Sequence, residues 1–223
     1  MQINGVLMSK NTALADVRNG EIIILNEQLL PLYLKNFRNI EAWLLSRAID
    51  THRTNSRLLK RALRLTNADE IQLVLNVNAA TITDTYWFKE ENCNLTYEDV
   101  RFKYNFFDKL ALYGDPDSFN NEYSRTPELT NIGSFEKCWR IIDGKWWLYK
   151  QGNDFEQFSE LFIYEFGKAL GFNMAFYEKD GDFIRSLDFT DGAKVNFELA
   201  EGLVGDDEDY VKNFECLNAL SPV

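Results

Sequence analysis

Three dipeptides limit this chain's folding choices more than anything else in it. Asn19-Gly20, Asp143-Gly144 and Asp180-Gly181 each stand between short runs of apolar, β-branched or aromatic residues. A two-residue Asn-Gly or Asp-Gly link turns a strand back on its neighbour, because both positions favour positive φ, which glycine adopts freely and short polar residues tolerate. The sequence therefore predicts antiparallel hairpins in two widely separated regions. Around the first, residues 3–8, 13–17 and 21–25 read as a small antiparallel sheet. Around the others, strands are expected over 133–150, and over 174–178 with 182–189.

Between and after the hairpins the apolar period changes from two to about 3.6. Ile40, Trp43, Leu44 and Ala48 share one helical face, with Asn39 as a plausible N-cap. A second helix is predicted after Asn55-Ser56, and its sequence packs Leu58, Leu59, Ala62 and Leu63 while exposing Arg57, Lys60, Arg61 and Arg64. A third is expected over 68–78. Residues 81–89 form an extended aromatic segment, read as a buried anchor, and 104–113 return to helical spacing. Phe155, Phe158, Phe162, Phe166 and Leu170 recur at helical spacing before Gly171, so a helix that buries its phenylalanines is expected there. A last helix is predicted over 210–220, with the acidic run at 206–209 as its solvated N-terminus and not a metal site.

The fold class that follows is α+β, mostly antiparallel sheet with packed helices. The stretch Gly114-Asp-Pro-Asp-Ser-Phe-Asn-Asn121 is the clearest linker, which divides the chain into 1–115 (a small β-sheet followed by helices), 122–200, and a terminal segment 201–223. A length of 223 residues at 45% hydrophobic content suffices for a sizeable core. A net charge of −11 argues against a general nucleic-acid scaffold, which needs a cationic surface. The three cysteines, Cys93, Cys138 and Cys216, are odd in number and lack Cys-x-x-Cys spacing, so a reducing cytoplasm is expected, with neither disulfides nor zinc. No leader pattern and no apolar run of membrane-spanning length is present, so no membrane partner is expected.

One region combines residues suited to phosphate chemistry. Gly133-Ser134 can bring backbone close to a phosphate, Lys150 ends a predicted strand, and Glu160 lies on the side of the next helix opposite the phenylalanines. Phosphoryl transfer depends on positioning and charge neutralisation, and a carboxylate can hold a flexible ammonium ready for that task. The same three residues also fit a structural ion pair between a strand and a helix. A Walker motif is absent.

The order Gly-Ser-Phe-Glu-Lys-Cys, a strand ending in Tyr-Lys, then Ser-Glu-Leu-Phe-Ile-Tyr-Glu-Phe-Gly-Lys-Ala-Leu-Gly-Phe resembles the HipA-like serine/threonine protein kinase family. The resemblance runs over residues 129–220 and implies a kinase-like N-lobe at 122–200, preceded by an N-terminal extension. It implies that Gly133, Ser134, Phe135, Glu136, Lys137 and Cys138 form the phosphate loop, that Lys150 binds ATP phosphates, and that Glu160 is the lysine's helix partner. Leu187, Asp188 and Phe189 would receive adenine through backbone groups, with magnesium accompanying the ATP. The family's Asp-Arg-His catalytic loop and later metal-binding aspartate have no match here. The expectation is therefore a truncated, nucleotide-binding lobe without a complete catalytic set. A competing expectation is a non-catalytic interaction or regulatory protein of a toxin–antitoxin or mobile-element system, meeting a protein or nucleic acid through Arg57, Lys60, Arg61 and Arg64.

Overall fold

The computed structural model describes residues 2–115, 117, 125–133, 135–205 and 208–219. Most of the predicted linker, Ser134 and half of the acidic run at 206–209 lie outside these. The fold is α+β, built on two antiparallel four-stranded sheets.

The first sheet holds β1 (Gly5–Ser9), β2 (Thr12–Arg18), β3 (Glu21–Ile24) and β4 (Tyr86–Glu90), in the order β3-β2-β1-β4. Asn19 and Gly20, with φ of 55° and 84°, form the two-residue turn between Arg18 and Glu21. The aromatic segment supplies one of the two edge strands, and Tyr86, Trp87 and Phe88 are all buried, as expected of an anchor. Four short helices follow β3 before this strand: α1 (Leu32–Phe37), α2 (Ile40–Leu45), α3 (Thr54–Ala62) and α4 (Glu70–Leu75). Asn39 caps α2 by accepting from Ala42 N–H, as predicted. The predicted second helix begins earlier than expected, and Asn55 and Ser56 are buried inside it. Helices α5 (Tyr97–Val100) and α6 (Asp108–Tyr113) then lead to a 3-10 turn, Pro127–Thr130.

The second sheet contains β5 (Lys137–Ile142), β6 (Lys145–Lys150), β7 (Tyr177–Asp180) and β8 (Phe183–Leu187), in the order β5-β6-β8-β7. Asp143-Gly144 makes the β5–β6 turn with both residues at positive φ, 50° and 75°. The last hairpin turns on Gly181-Asp182, one residue later than predicted, since Asp180 pairs with Phe183. Helix α7 (Asp154–Ala169) crosses between β6 and β7, and α8 (Glu201–Val204) and α9 (Tyr210–Ala219) end the described chain.

The first sheet packs on its own cluster with α1 and α2, but the second sheet shares its core with helices of the N-terminal part. One cluster joins Ile49, Leu59, Leu73, Val77 and Leu110 to Leu129, Cys138 and Tyr149, across the sequence interval read as a linker. Two ion pairs are buried among the described residues, one beside the first sheet and one beside this shared cluster. Arg47 grips Asp84 with two hydrogen bonds of 2.9 Å, and Arg53 lies 3.6 Å from Glu128, whose side chain is fully buried.

One expectation fails on α7. Its phenylalanines do not bury: Phe155, Phe158, Phe162 and Phe166 are 84%, 64%, 51% and 50% exposed. The helix instead turns Tyr164 and Gly167 inward. Met174 packs so closely on Gly167 that a Cβ there would collide with it. Periodicity identifies a stripe without saying which side of the helix the sheet takes, and here the opposite side wins. Phe158, Phe162 and Phe166 stack in a ladder on the surface, with centroids 5.6 and 5.7 Å apart.

Glu128 accepts from Trp139 N–H, Asn105 and Asn131 besides facing Arg53. Glu128→Ala takes the acceptor from Trp139 N–H and the Asn131 side chain and leaves the buried Arg53 without its counter-charge, so a loss of about 3–5 kcal/mol is expected, read as a lower urea midpoint.

Candidate functional site

The alternation of β5, β6 and β8 decides which side chains can meet. Lys137 pairs with Lys150 and Trp139 with Leu148, while Ile184 and Ser186 continue these rows on β8. These residues point to one face of the sheet. Cys138, Tyr149 and Arg185 point to the other, where Cys138 and Tyr149 join the shared core. Cys138 thus does not face the loop's ligand side, and burial drives its thiol well above the ordinary range, leaving it an inert core residue.

The expected lysine–glutamate pairing forms. Lys150 Nζ donates to Glu160 Oε1 at 2.7 Å and to the Tyr177 hydroxyl at 3.1 Å. Burial pulls the Lys150 pKa down, but Glu160 and Tyr177 outweigh it, and the net shift is upward, so this ammonium stays charged. Helix α7 can present Glu160 there because its N-terminus is well fixed: Asn153 and Glu156 form a capping box.

Lys137, directly across from Lys150, behaves differently. Burial, followed by the charges of Arg53 and Lys150, lowers its pKa from 10.5 to about 8. Its ammonium rests over Gly133, whose φ of 105° is a backbone conformation that favours glycine. Two adjacent cations on neighbouring strands repel one another, and Glu160 answers only part of that charge. An anion in this position would satisfy both.

Two cavities flank the loop that carries Gly133. The first, about 270 Å³, is walled by Ile132, Trp139, Leu148 and Leu187 on the sheet side and by Pro31 and Trp43 from the N-terminal unit. The second, about 610 Å³, lies under α7 and is lined by Phe135, Lys137, Lys150, Glu160 and Ile163. Tyr177 borders both. Trp139, Leu148 and Tyr177 are not among the residues that the sequence motifs single out. Counting back by twos from Lys150 identifies Leu148, and the hairpin register then identifies Trp139 opposite it.

Leu187, Asp188 and Phe189 line the first cavity. Their N–H groups are not all available: Leu187 donates to Phe176 O and Asp188 to Trp146 O. The Asp188 carboxylate accepts from Thr190 and Gly192, which closes a turn after β8. Glu136 serves the loop through its backbone, its carbonyl accepting from Gln151 N–H.

The basic residues 57–64 sit elsewhere, on α3 and just after it. Arg57, Arg61 and Arg64 are exposed and Lys60 is half-buried, so the predicted fully exposed row is interrupted. Arg64 falls beyond the helix with φ of 59°, which takes it off the helical face it was expected to share. No group of three or more His, Cys, Asp or Glu side chains suited to a metal occurs among the described residues. Nor is any described helix long and apolar enough to cross a membrane. No family model, curated protein or solved structure matches the chain.

Because folding lowers the Lys137 pKa, the unfolded chain holds more protons between about pH 8 and 10.5, and stability rises with pH across that window. This contribution is absent below about pH 8. Lys137→Met removes that rise and increases stability at neutral pH, as denaturant melts across the window will show.

Proposed function

We propose that this chain is a nucleotide-binding lobe of HipA-like kinase type, working in the cytoplasm, with ATP as its ligand. The observation that carries the reading is the Lys150–Glu160 pair at 2.7 Å, set beside Lys137 and the glycine-bearing loop. The residue order of the family motif supports it independently.

In this reading the first cavity takes the base. Its walls are planar or branched apolar side chains, Trp139, Leu148, Ile132 and Leu187, a surface suited to a flat heterocycle. The chain then runs past Tyr177 toward the two lysines, which neutralise phosphate oxygens, while the loop at Gly133 allows close backbone approach. Glu160 keeps the Lys150 ammonium fixed, so little ordering remains when the ligand arrives. Lys137 gains its proton on meeting a polyphosphate, which makes affinity fall as pH rises above about 8. Magnesium fits this site only as the nucleotide's counter-ion, since of the carboxylates lining the second cavity Glu160 is held by Lys150 and Glu156 by the α7 capping box.

The test is calorimetric titration with ATP and magnesium. Binding in the wild type that weakens at least tenfold in Lys150→Ala is the expected result, a loss of about 1.4 kcal/mol or more. Wild-type chain that gives no heat and no thermal shift with ATP refutes the reading. A second arm follows the competing interaction role. Retention of a partner that survives Lys150→Ala but is lost when Arg57, Lys60, Arg61 and Arg64 are neutralised would transfer the function to the basic surface of α3 and the residues just after it.

A further inference from the structure

Arg53 does not touch either cavity, yet it holds both stems of the loop between them. It stands at the N-terminus of α3, in the N-terminal unit, and its side chain is fully buried. One terminal nitrogen donates to the Asn131 carbonyl at 3.2 Å and the other to the Lys137 carbonyl at 2.9 Å. Its Nε donates to Asn55 Oδ1 at 2.8 Å. Asn131 enters the Gly133 loop and Lys137 leaves it. A single planar guanidinium thus bridges the two ends of the segment expected to meet phosphate.

The bridge is anchored from behind. Glu128 lies 3.6 Å from the same guanidinium and binds the Asn131 side chain and Trp139 N–H, the residues flanking those stems. Burial lowers the Arg53 pKa and raises that of Glu128, and each charge is held by the other and by surrounding hydrogen bonds. Lysine cannot reproduce this arrangement, because a single ammonium lacks the fork that reaches two carbonyls in fixed directions.

We infer that Arg53 is a positioning residue for phosphate binding: from the N-terminal unit it sets the separation and direction of the two stems of the Gly133 loop. The inference rests on the nucleotide reading for its functional consequence, but its structural half does not. The N-terminal unit is thereby part of the site's machinery as well as of its cavity wall. A loop fixed at both stems presents its backbone with less ordering left to be done on binding. A loop released at its stems keeps its residues and loses that advantage.

Arg53→Ala strands Glu128 and endangers folding, so Arg53→Lys, which preserves a counter-charge, is the informative variant. Two measurements decide the matter. Amide hydrogen exchange in Arg53→Lys is expected to accelerate at least tenfold at residues 131–138 and little elsewhere; unchanged exchange there, or acceleration spread evenly through the chain, overturns the inference. Titration with ATP and with adenosine is expected to show a roughly tenfold loss for ATP and adenosine affinity within twofold of wild type, because only phosphate contacts depend on the loop. Equal losses for both ligands also overturn it. Wild-type chain binding neither ligand refutes the nucleotide reading, and the exchange result alone then upholds or overturns the hold of Arg53 on the loop.

Discussion

A carboxylate with no exposed surface sits at the junction of the two halves of this protein, and the structure is arranged around keeping it satisfied. Glu128 receives hydrogen bonds from β5, from the segment before α6 and from Asn131, and faces a guanidinium from α3. Removing a charge from water costs several kcal/mol unless its surroundings replace the lost solvation. Each donor that does so comes from a different segment, so the need to solvate one side chain also fixes how those segments meet. A buried ion pair adds little to net stability compared with an apolar replacement, but it accepts far fewer geometries. Here the selected geometry includes the stems of the Gly133 loop.

This explains why the interval at 114–121 is a poor guide to organisation. A run of glycine, asparagine, aspartate and serine has the composition of a linker, and local composition is what a sequence displays. Whether the elements on either side share a core depends on contacts between residues far apart, such as Leu59 with Cys138 and Tyr149 in one cluster. The hairpins were legible because their turn chemistry is local: Asn19-Gly20 and Asp143-Gly144 adopt the positive φ values their types suggest. The Lys150–Glu160 contact was legible too, since strand end, helix phase and motif order agree. The burial side of α7 was not, because its periodicity marks two usable faces. Arg53 was hidden for a similar reason, being one of several arginines near a helix otherwise recognised by its basic surface.

Electrostatics at the site run against the character of the whole molecule. The chain carries a net charge of −11, yet Lys137 and Lys150 are neighbours across two strands with Arg53 close behind. The general field of the protein discourages anions, while this small region favours them, so an anionic ligand must be recognised at short range and not gathered from a distance. Salt weakens the long-range repulsion more than contacts inside a partly buried cavity.

The ring of Tyr177 belongs to both cavities, and its hydroxyl is tied to Lys150. This residue is therefore a shared wall, a partition between the two cavities. The partition is a side chain on the first residue of β7, packed beside Tyr164 of α7 with centroids 6.3 Å apart. Any occupant that displaces it enlarges one compartment at the expense of the other and at the same time loosens the lysine. Shape on one side and charge on the other are in this way joined by a single aromatic hinge.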